Sequence, residues 1–350
     1  MRKEGSIEER RALVLDENGS GLPLFVSVVV RTKDCEAVIE RCMRSLVNVD
    51  YPRDRYEIIV VDGHSRDRTV AIAQRYGARV FYDDGRGRNH ALNEGMRYVR
   101  GTYVAFTDAD CAVDKNWLKN SLPYFVDEHV AAVGGPNPAA WDAKALVRAL
   151  AFVNGFFVYR PRGQAFVDYL ATCNCIYRTG VAKELFPLPE IGGGEDAVLG
   201  CRARKADFKL LFAPNVIVWD YTNYDRPGAF LRHAVVLGKH RVQLVRFDHC
   251  FGSPQMWLRG FSLPMLATLV SVLYLVDPRI LLGAIALGVA VSLIVLGQCW
   301  LRTKSLATVL HVPVVAVLLA AGYSIGFIGE AIRPTGRILK NLWKLGSRGP

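Results

Sequence analysis

The chain has 350 residues, a formal net charge of +11 and a hydrophobic share of 51%. That length suits one large domain with appendages or two domains, and the surplus of Lys and Arg suits work against anionic phospholipid and on phosphorylated substrates. No nucleic-acid motif accompanies the charge, which argues against a nucleic-acid partner, and none of the eight cysteines forms the Cys-x2-Cys pair of a structural zinc site.

Residues 1–22 are charged and carry no apolar signal-peptide core, so the domain that follows is expected on the cytoplasmic side, with its thiols reduced. Leu24 to Val30 is a continuous apolar run that reads as a buried parallel strand. Cys35 to Val47 has helical spacing, Tyr56 to Val61 is a second strand ending at Asp62, and Thr69 to Tyr76 is a helix closed by Gly77. Ala78 to Tyr82 gives a short third strand, Ala91 to Val99 a helix, and Thr102 to Thr107 a fourth strand. A helix over Trp117 to Val126, strands over Val130 to Val133, Tyr169 to Tyr177 and Lys209 to Val218, and a helix over Asp196 to Lys205 complete a mixed second half.

The alternation βαβαβαβ predicts an α/β fold, a parallel sheet with right-handed crossovers and helices on both faces. Ligands of such sheets bind at the carboxyl ends of the strands. The candidate polar residues fall there: Arg31, Thr32 and Asp34 after the first strand, Asp62 after the second, Asp108 and Asp110 after the fourth. Asp108-Ala109-Asp110 ends a strand with two carboxylates flanking one residue, a pattern suited to Mg2+ or Mn2+. Such ions take one or two hard oxygen ligands from protein and the rest from substrate phosphates. The implied partner is a nucleotide diphosphate. Glu195 and Asp196 follow Gly192 to Gly194 and open a helix, whose peptide dipoles keep a carboxylate ionised and able to accept a proton. A helix-capping acid pair is the other reading of these two residues.

Taken in order, Val26 to Val30, Ile59-Val60-Val61-Asp62-Gly63-His64-Ser65, Asp108-Ala109-Asp110 and Gly194-Glu195-Asp196 resemble glycosyltransferase family 2, with a GT-A fold, over roughly Val26 to Val218. The resemblance implies transfer, with inversion, from a nucleotide-diphosphate sugar to a lipid-linked glycan or polyprenyl phosphate. It gives Asp62 contact with the nucleotide base or ribose, although Gly63 and His64 depart from the usual Asp-Asp-Gly-Ser and Asp62 also reads as a turn residue. Arg88, in Gly87-Arg88-Asn89-His90-Ala91-Leu92-Asn93-Glu94-Gly95, stands where the family has Lys, and a guanidinium preserves contact with donor phosphate. Asp110 is the expected metal ligand, with Asp108 contacting the ribose or the metal through water and Arg31 and Thr32 as donor contacts, and the resemblance implies Asp196, with Glu195, as general base. Asp220 is expected in the place of a downstream His that the resemblance implies for the metal site.

Beyond residue 225 the chain changes character. Phe230 to Phe247 alternates basic and apolar residues, reading as an amphipathic helix on the membrane surface, with Lys239 and Arg241 candidates for the pyrophosphate. Gln243 to Phe247 superficially resembles the Gln-x-x-Arg-Trp motif of processive synthases but lies too far from the base, so transfer of one sugar is expected. Phe261 to Val276, Ile280 to Leu301 and Leu306 to Gly329 are apolar, and the last two match a hydrocarbon core that needs about 20 helical residues. The domains expected are a tail (1–22), a catalytic domain (23–225), an interfacial segment (226–259), two or three spans (260–330) and a basic tail (331–350). That order describes a multi-pass enzyme with its catalytic domain on the cytoplasmic face. A sugar-phosphate nucleotidyltransferase would share the sheet but needs a glycine-rich loop after the first strand, where Arg31 to Cys35 has no glycine. A non-catalytic scaffold would not need the carboxylates.

Overall fold

The structure, a computed structural model, describes residues 24–140, 143–157, 163–191, 193–221, 227–248 and 278–331. The chain divides into two units, Met1–Asp225 with Thr303–Val312, and Arg226–Arg302 with Pro313–Pro350. In the first unit the strands are β1 (Val26–Thr32), β2 (Tyr56–Asp62), β3 (Arg79–Tyr82), β4 (Tyr103–Asp108), β5 (Cys111–Val113), β6 (Val130–Gly134), β7 (Ala165–Val167), β8 (Cys175–Arg178), β9 (Lys209–Phe212) and β10 (Val218–Asp220). Its helices are α1 (Ile39–Val47), α2 (Thr69–Arg75), α3 (Arg88–Met96), α4 (Trp117–Ser121), α5 (Ala145–Phe157), α6 (Thr179–Leu185) and α7 (Glu195–Lys205).

The main sheet runs β3-β2-β1-β4-β8-β6-β9-β7. Its first four strands are parallel, as the alternation predicts, while β8 enters antiparallel between β4 and β6. Because successive side chains on a strand face opposite ways, β1 serves two layers. Val26, Val28 and Val30 join Ile39, Met43 and Leu46 of α1 and Trp117 of α4 in one core. On the other face α3 lies so close that a Cβ on Gly95 would meet Val29 Cγ1 at 2.7 Å, a contact only glycine permits there.

The structure corrects several elements. Residues 169–177 do not form one strand: a 3-10 turn over Thr172–Asn174 precedes β8, because Asn174 is fully buried and uses its side chain as a hub. Its Oδ1 accepts from Trp117 Nε1 at 2.9 Å, and its Nδ2 donates to Pro136 O and Val216 O, each at 2.9 Å. The run 209–218 splits into β9 and β10, which belong to different sheets, β10 pairing antiparallel with β5. α3 begins at Arg88 instead of Ala91, after Gly87 with φ 113°. Cys201 is disulfide-bonded, against the expectation of reduced thiols throughout.

The second unit contains α8 (Pro227–Asp248) and most of α9 (Pro278–Thr303) and α10 (Leu306–Ala331). α8, which contains the segment read as an amphipathic helix on the membrane surface, packs against α10 at backbone contact, the arrangement small residues allow. A Cβ on Gly326 would lie 1.9 Å from Val235 O, and one on Gly238 would lie 2.1 Å from Tyr323 O. Val242, Tyr323 and Phe327 form the apolar cluster between these helices. Among the described residues α10 is the one helix long and apolar enough to cross a membrane, with a mean hydropathy of 2.0. α9 contains the predicted run Ile280 to Leu301. The predicted run Phe261 to Val276 and the basic tail lie outside the described residues.

Candidate active site

Parallel pairing aligns the carboxyl ends of β1, β2 and β4: Thr32 pairs with Asp62, and Arg31 with Asp108. Arg31, Thr32, Asp62 and Asp108 therefore stand at one end of the sheet. Arg31 is their hinge. Its Nε donates to Asp108 Oδ1 at 2.9 Å and its Nη2 to Asp108 Oδ2 at 3.1 Å, while Nη1 donates to Glu195 Oε1. The side chains of Arg31 and Glu195 are 11% and 7% exposed, so the bridge is almost dry and each charge depends on its partners.

The electrostatics follow from that geometry. Burial disfavours the Glu195 carboxylate, but the Arg31 guanidinium, the residue's own backbone N–H and the charge of Arg88 outweigh it, and the pKa is pushed down to about 2. Burial likewise opposes the Arg31 cation, and Asp108 and Glu195 together overcome it and raise its pKa. Thr172 Oγ1 donates to Glu195 Oε1 at 3.1 Å, a second support that the sequence did not reveal.

Asp196 follows at the first turn of α7, half-buried, after Gly194 in the left-handed conformation with φ 84°. Its Oδ1 accepts from Ala197 N at 2.7 Å. Arg88 is exposed at the start of α3, within electrostatic reach of Glu195. Thr32 Oγ1 is buried and makes no hydrogen bond among the described residues. Asp62 is fully buried and clasps its own turn: Oδ2 accepts from Ser65 N at 2.7 Å and Oδ1 from Ser65 Oγ at 2.5 Å. The clasp holds His64 at φ 60°, its ring stacked on that of Tyr82 at 5.4 Å.

Asp110 lies between β4 and β5, half-buried, its main-chain oxygen accepting from Tyr221 N at 2.9 Å. Register places Asp220 opposite Cys111, so β10 brings a third carboxylate beside the Asp108–Asp110 turn. Among the described residues no group of three or more His, Cys, Asp or Glu side chains forms a metal cage. One or two carboxylates with no cage fit a hard divalent ion that takes its remaining ligands from phosphates and water.

Residues 27–186 match the profile of Glycosyl transferase family 2. The chain carries a family 2 glycosyltransferase domain over these residues, and it is a glycosyltransferase. It is similar to Glycosyltransferase AglE of Haloferax volcanii, 29% identical over 240 residues that cover 65% of this chain and 76% of that protein. It is also similar to the dolichyl N-acetyl-alpha-D-glucosaminyl phosphate 3-beta-D-2,3-diacetamido-2,3-dideoxy-beta-D-glucuronosyltransferase of Methanococcus voltae, 24% identical over 268 residues, 71% of this chain and 82% of that one. In fold it is similar to the mannosyltransferase PcManGT of Pyrobaculum calidifontis, solved with GDP-Man and Mn2+, at a TM-score of 0.60 and 19% identity over 85% of this chain and 87% of that chain. The GT-A architecture expected from the motifs is therefore present.

The two candidates for the pyrophosphate, Lys239 and Arg241, lie on α8 in the second unit. Two contributors went unread in the sequence. Thr172 was hidden in a segment whose apolar content suggests a strand, and the Tyr82 ring is visible only once β2 and β3 pair. A hydroxyl one residue before the Cys173-x-Cys175 pair carried no distinguishing pattern.

Proposed function

We propose that this glycosyltransferase is an inverting, metal-dependent enzyme that transfers one sugar from a nucleoside-diphosphate sugar to a membrane-associated acceptor at the cytoplasmic face. The observation that carries the reading is the pair of carboxylate sets, Asp108 with Asp110 and Glu195 with Asp196, joined through Arg31 at the carboxyl end of the sheet.

The two sets divide the work. Asp110 would hold Mg2+ or Mn2+, with Asp108 and Asp220 alongside, and PcManGT with GDP-Man and Mn2+ supports that cation. When bound, it offsets the charge of the departing nucleoside diphosphate. Arg88 binds donor phosphate in two-point fashion, the buried Thr32 hydroxyl offers the donor a hydrogen bond, and the turn clasped by Asp62 shapes the support for the nucleoside. Arg31 reaches the donor only through Asp108, whose orientation it fixes.

Glu195 is a poor base, because a pKa of about 2 lies far below any working pH. Asp196 takes the proton from the acceptor hydroxyl as its oxygen attacks the anomeric carbon from the face opposite the leaving group, which inverts that carbon. A base at this point favours a sugar hydroxyl over polyprenyl phosphate, whose oxygen is already anionic, and the named activity of the Methanococcus voltae relative on a dolichyl-linked sugar supports a lipid-linked acceptor. The apolar α10, with Leu306, Leu310, Val317 and Ile325 exposed, supports membrane anchoring, with α9 as a second pass. A processive synthase is disfavoured because Gln243 donates to Glu330 at 3.2 Å, engaged between α8 and α10.

The reading is tested by incubating the full-length protein with membrane lipid extract and radiolabelled UDP-, GDP- or dTDP-sugars, with Mn2+, Mg2+ or EDTA. A labelled lipid product that needs the cation is expected, from a protein that stays with membranes through alkaline extraction. No product from any donor, or equal product in EDTA, would contradict it.

A further inference from the structure

The segment between α6 and α7 is gripped from both sides. From α3, the Asn93 amide pairs with both groups of one residue, Nδ2 donating to Leu188 O at 2.9 Å and Oδ1 accepting from Leu188 N at 2.7 Å. One turn earlier the fully buried Asn89 donates from Nδ2 to Pro189 O at 3.0 Å. Four residues apart, the two amides share one face of the helix. Just before α3, Arg86 donates to Glu190 at 2.7 Å. From α7, Arg202 Nη1 donates to Leu185 O and to Pro187 O, each at 2.6 Å.

Residues 185–190 thus act as a strut. Most of its bonds are accepted or donated by its main chain, and its own Leu185 and Leu188 are buried, so the strut is held both by the side chains that grip it and by packing. α3 is the helix that begins with Arg88, immediately before Asn89. α7 is the helix whose first turn carries Asp196, under two turns before Arg202. A continuous hydrogen-bonded path therefore runs from the helix facing the donor phosphate to the helix bearing the base, outside the reacting centre.

We infer that Asn93 and Arg202 are positioning residues: gripping one strut from two helices, they fix the separation of Arg88 and Asp196. The inference rests on the roles proposed above for those two residues. Its physical force is that a misplacement of about 1 Å between reacting groups can cost roughly 100-fold in rate. The grip is also selective. It joins α3 to the last turn of α7, where Arg202 lies, and it involves none of the side chains that bind or react.

The test uses the full-length protein with Asn93→Ala and Arg202→Gln, singly and combined, and Asn93→Asp, which keeps the acceptor for Leu188 N but loses the donor, should Asn93→Ala fail to fold. Hydrogen exchange without substrate is expected to speed up by about tenfold in the first turn of α7 while β1 and β2 stay as protected as in the parent protein. Transfer is expected to lose about tenfold or more in kcat with donor KM changed by less than about threefold, and the double variant to fall little below the worse single one. Unchanged exchange in α7 would overturn the inference. So would a uniform rise through β1, β2 and α7 with kcat per folded molecule intact, the mark of a merely structural role. If the parent protein transfers no sugar from any donor, the proposed function fails, and the exchange measurement alone still decides whether the strut couples the helices.

Discussion

Arg31 meets Asp108 through two parallel contacts, Nε to Oδ1 at 2.9 Å and Nη2 to Oδ2 at 3.1 Å, joining the carboxyl ends of adjacent strands β1 and β4. Planar two-point pairing fixes the carboxylate in orientation as well as position, which a lysine could not do. The third nitrogen of the fork reaches Glu195 on α7. One side chain thus ties the strand end that offers carboxylates for a cation to the helix that offers the base.

Removing the Arg31 guanidinium leaves the buried Glu195 carboxylate and the half-buried Asp108 carboxylate without their shared partner. Arg31→Met should lower stability by about 3–5 kcal/mol, the cost of breaking a buried pair from one side. Adding Glu195→Gln removes one of the stranded charges and should recover part of the loss. Urea denaturation of the two variants checks both steps, and additive losses would count against the bridge.

The depressed Glu195 pKa predicts an acid limb in stability. The group sits near 4.5 when unperturbed and about 2 in the folded protein, so the unfolded chain binds the extra proton between those values. Stability from this group is fully present above about pH 4.5, falls as pH drops, and is gone below about pH 2, for a total on the order of 3 kcal/mol. Glu195→Gln should flatten the urea midpoint against pH between about 2 and 5. A variant with the same slope as the parent protein would assign the limb to other groups.

Gly95 tests the route from packing to site. A methyl there would press on Val29 Cγ1 at 2.7 Å and Val61 Cγ2 at 3.1 Å, pushing α3 from the sheet. Gly95→Ala should cost about 1–3 kcal/mol despite the better helix propensity of alanine. Because α3 begins at Arg88, nucleotide affinity should weaken with it, as read by titration with a nucleoside diphosphate. Unchanged affinity in a destabilised variant would separate the helix from donor binding.

Asp110→Ala should leave the fold standing and abolish the Mn2+ or Mg2+ dependence of nucleotide-diphosphate binding. Calorimetric titration with and without the cation reads this. An unchanged cation effect would remove Asp110 from the metal site.

Much of the first unit was legible because each step had a local cause. Continuous apolar runs gave β1, β2 and β4, and their parallel order put Arg31, Asp62, Asp108 and Asp110 at one sheet end before any side chain was placed. The 3-10 turn at Thr172–Asn174 was not legible, because what bends the chain there is the buried amide of Asn174 bonding to Trp117, Pro136 and Val216, partners distant in sequence. The same holds for Arg31. Its place after a strand suggested a donor contact, whereas its engagement with two carboxylates depends on where α7 lies. β10 was missed as a separate strand because Phe212 and Val218 belong to one apolar stretch, divided only by pairing with different strands.

The division of labour between the two carboxylates of α7 is open to one comparison. Asp196→Asn and Glu195→Gln both keep size and lose charge, and each is assayed for sugar transfer and for donor affinity in the full-length protein. Asp196→Asn should reduce kcat by about 100-fold or more with donor affinity retained, since a base contributes to transfer and little to binding. Full loss in Glu195→Gln, with Asp196→Asn within a few-fold of the parent protein, would contradict the assignment and give the proton to Glu195.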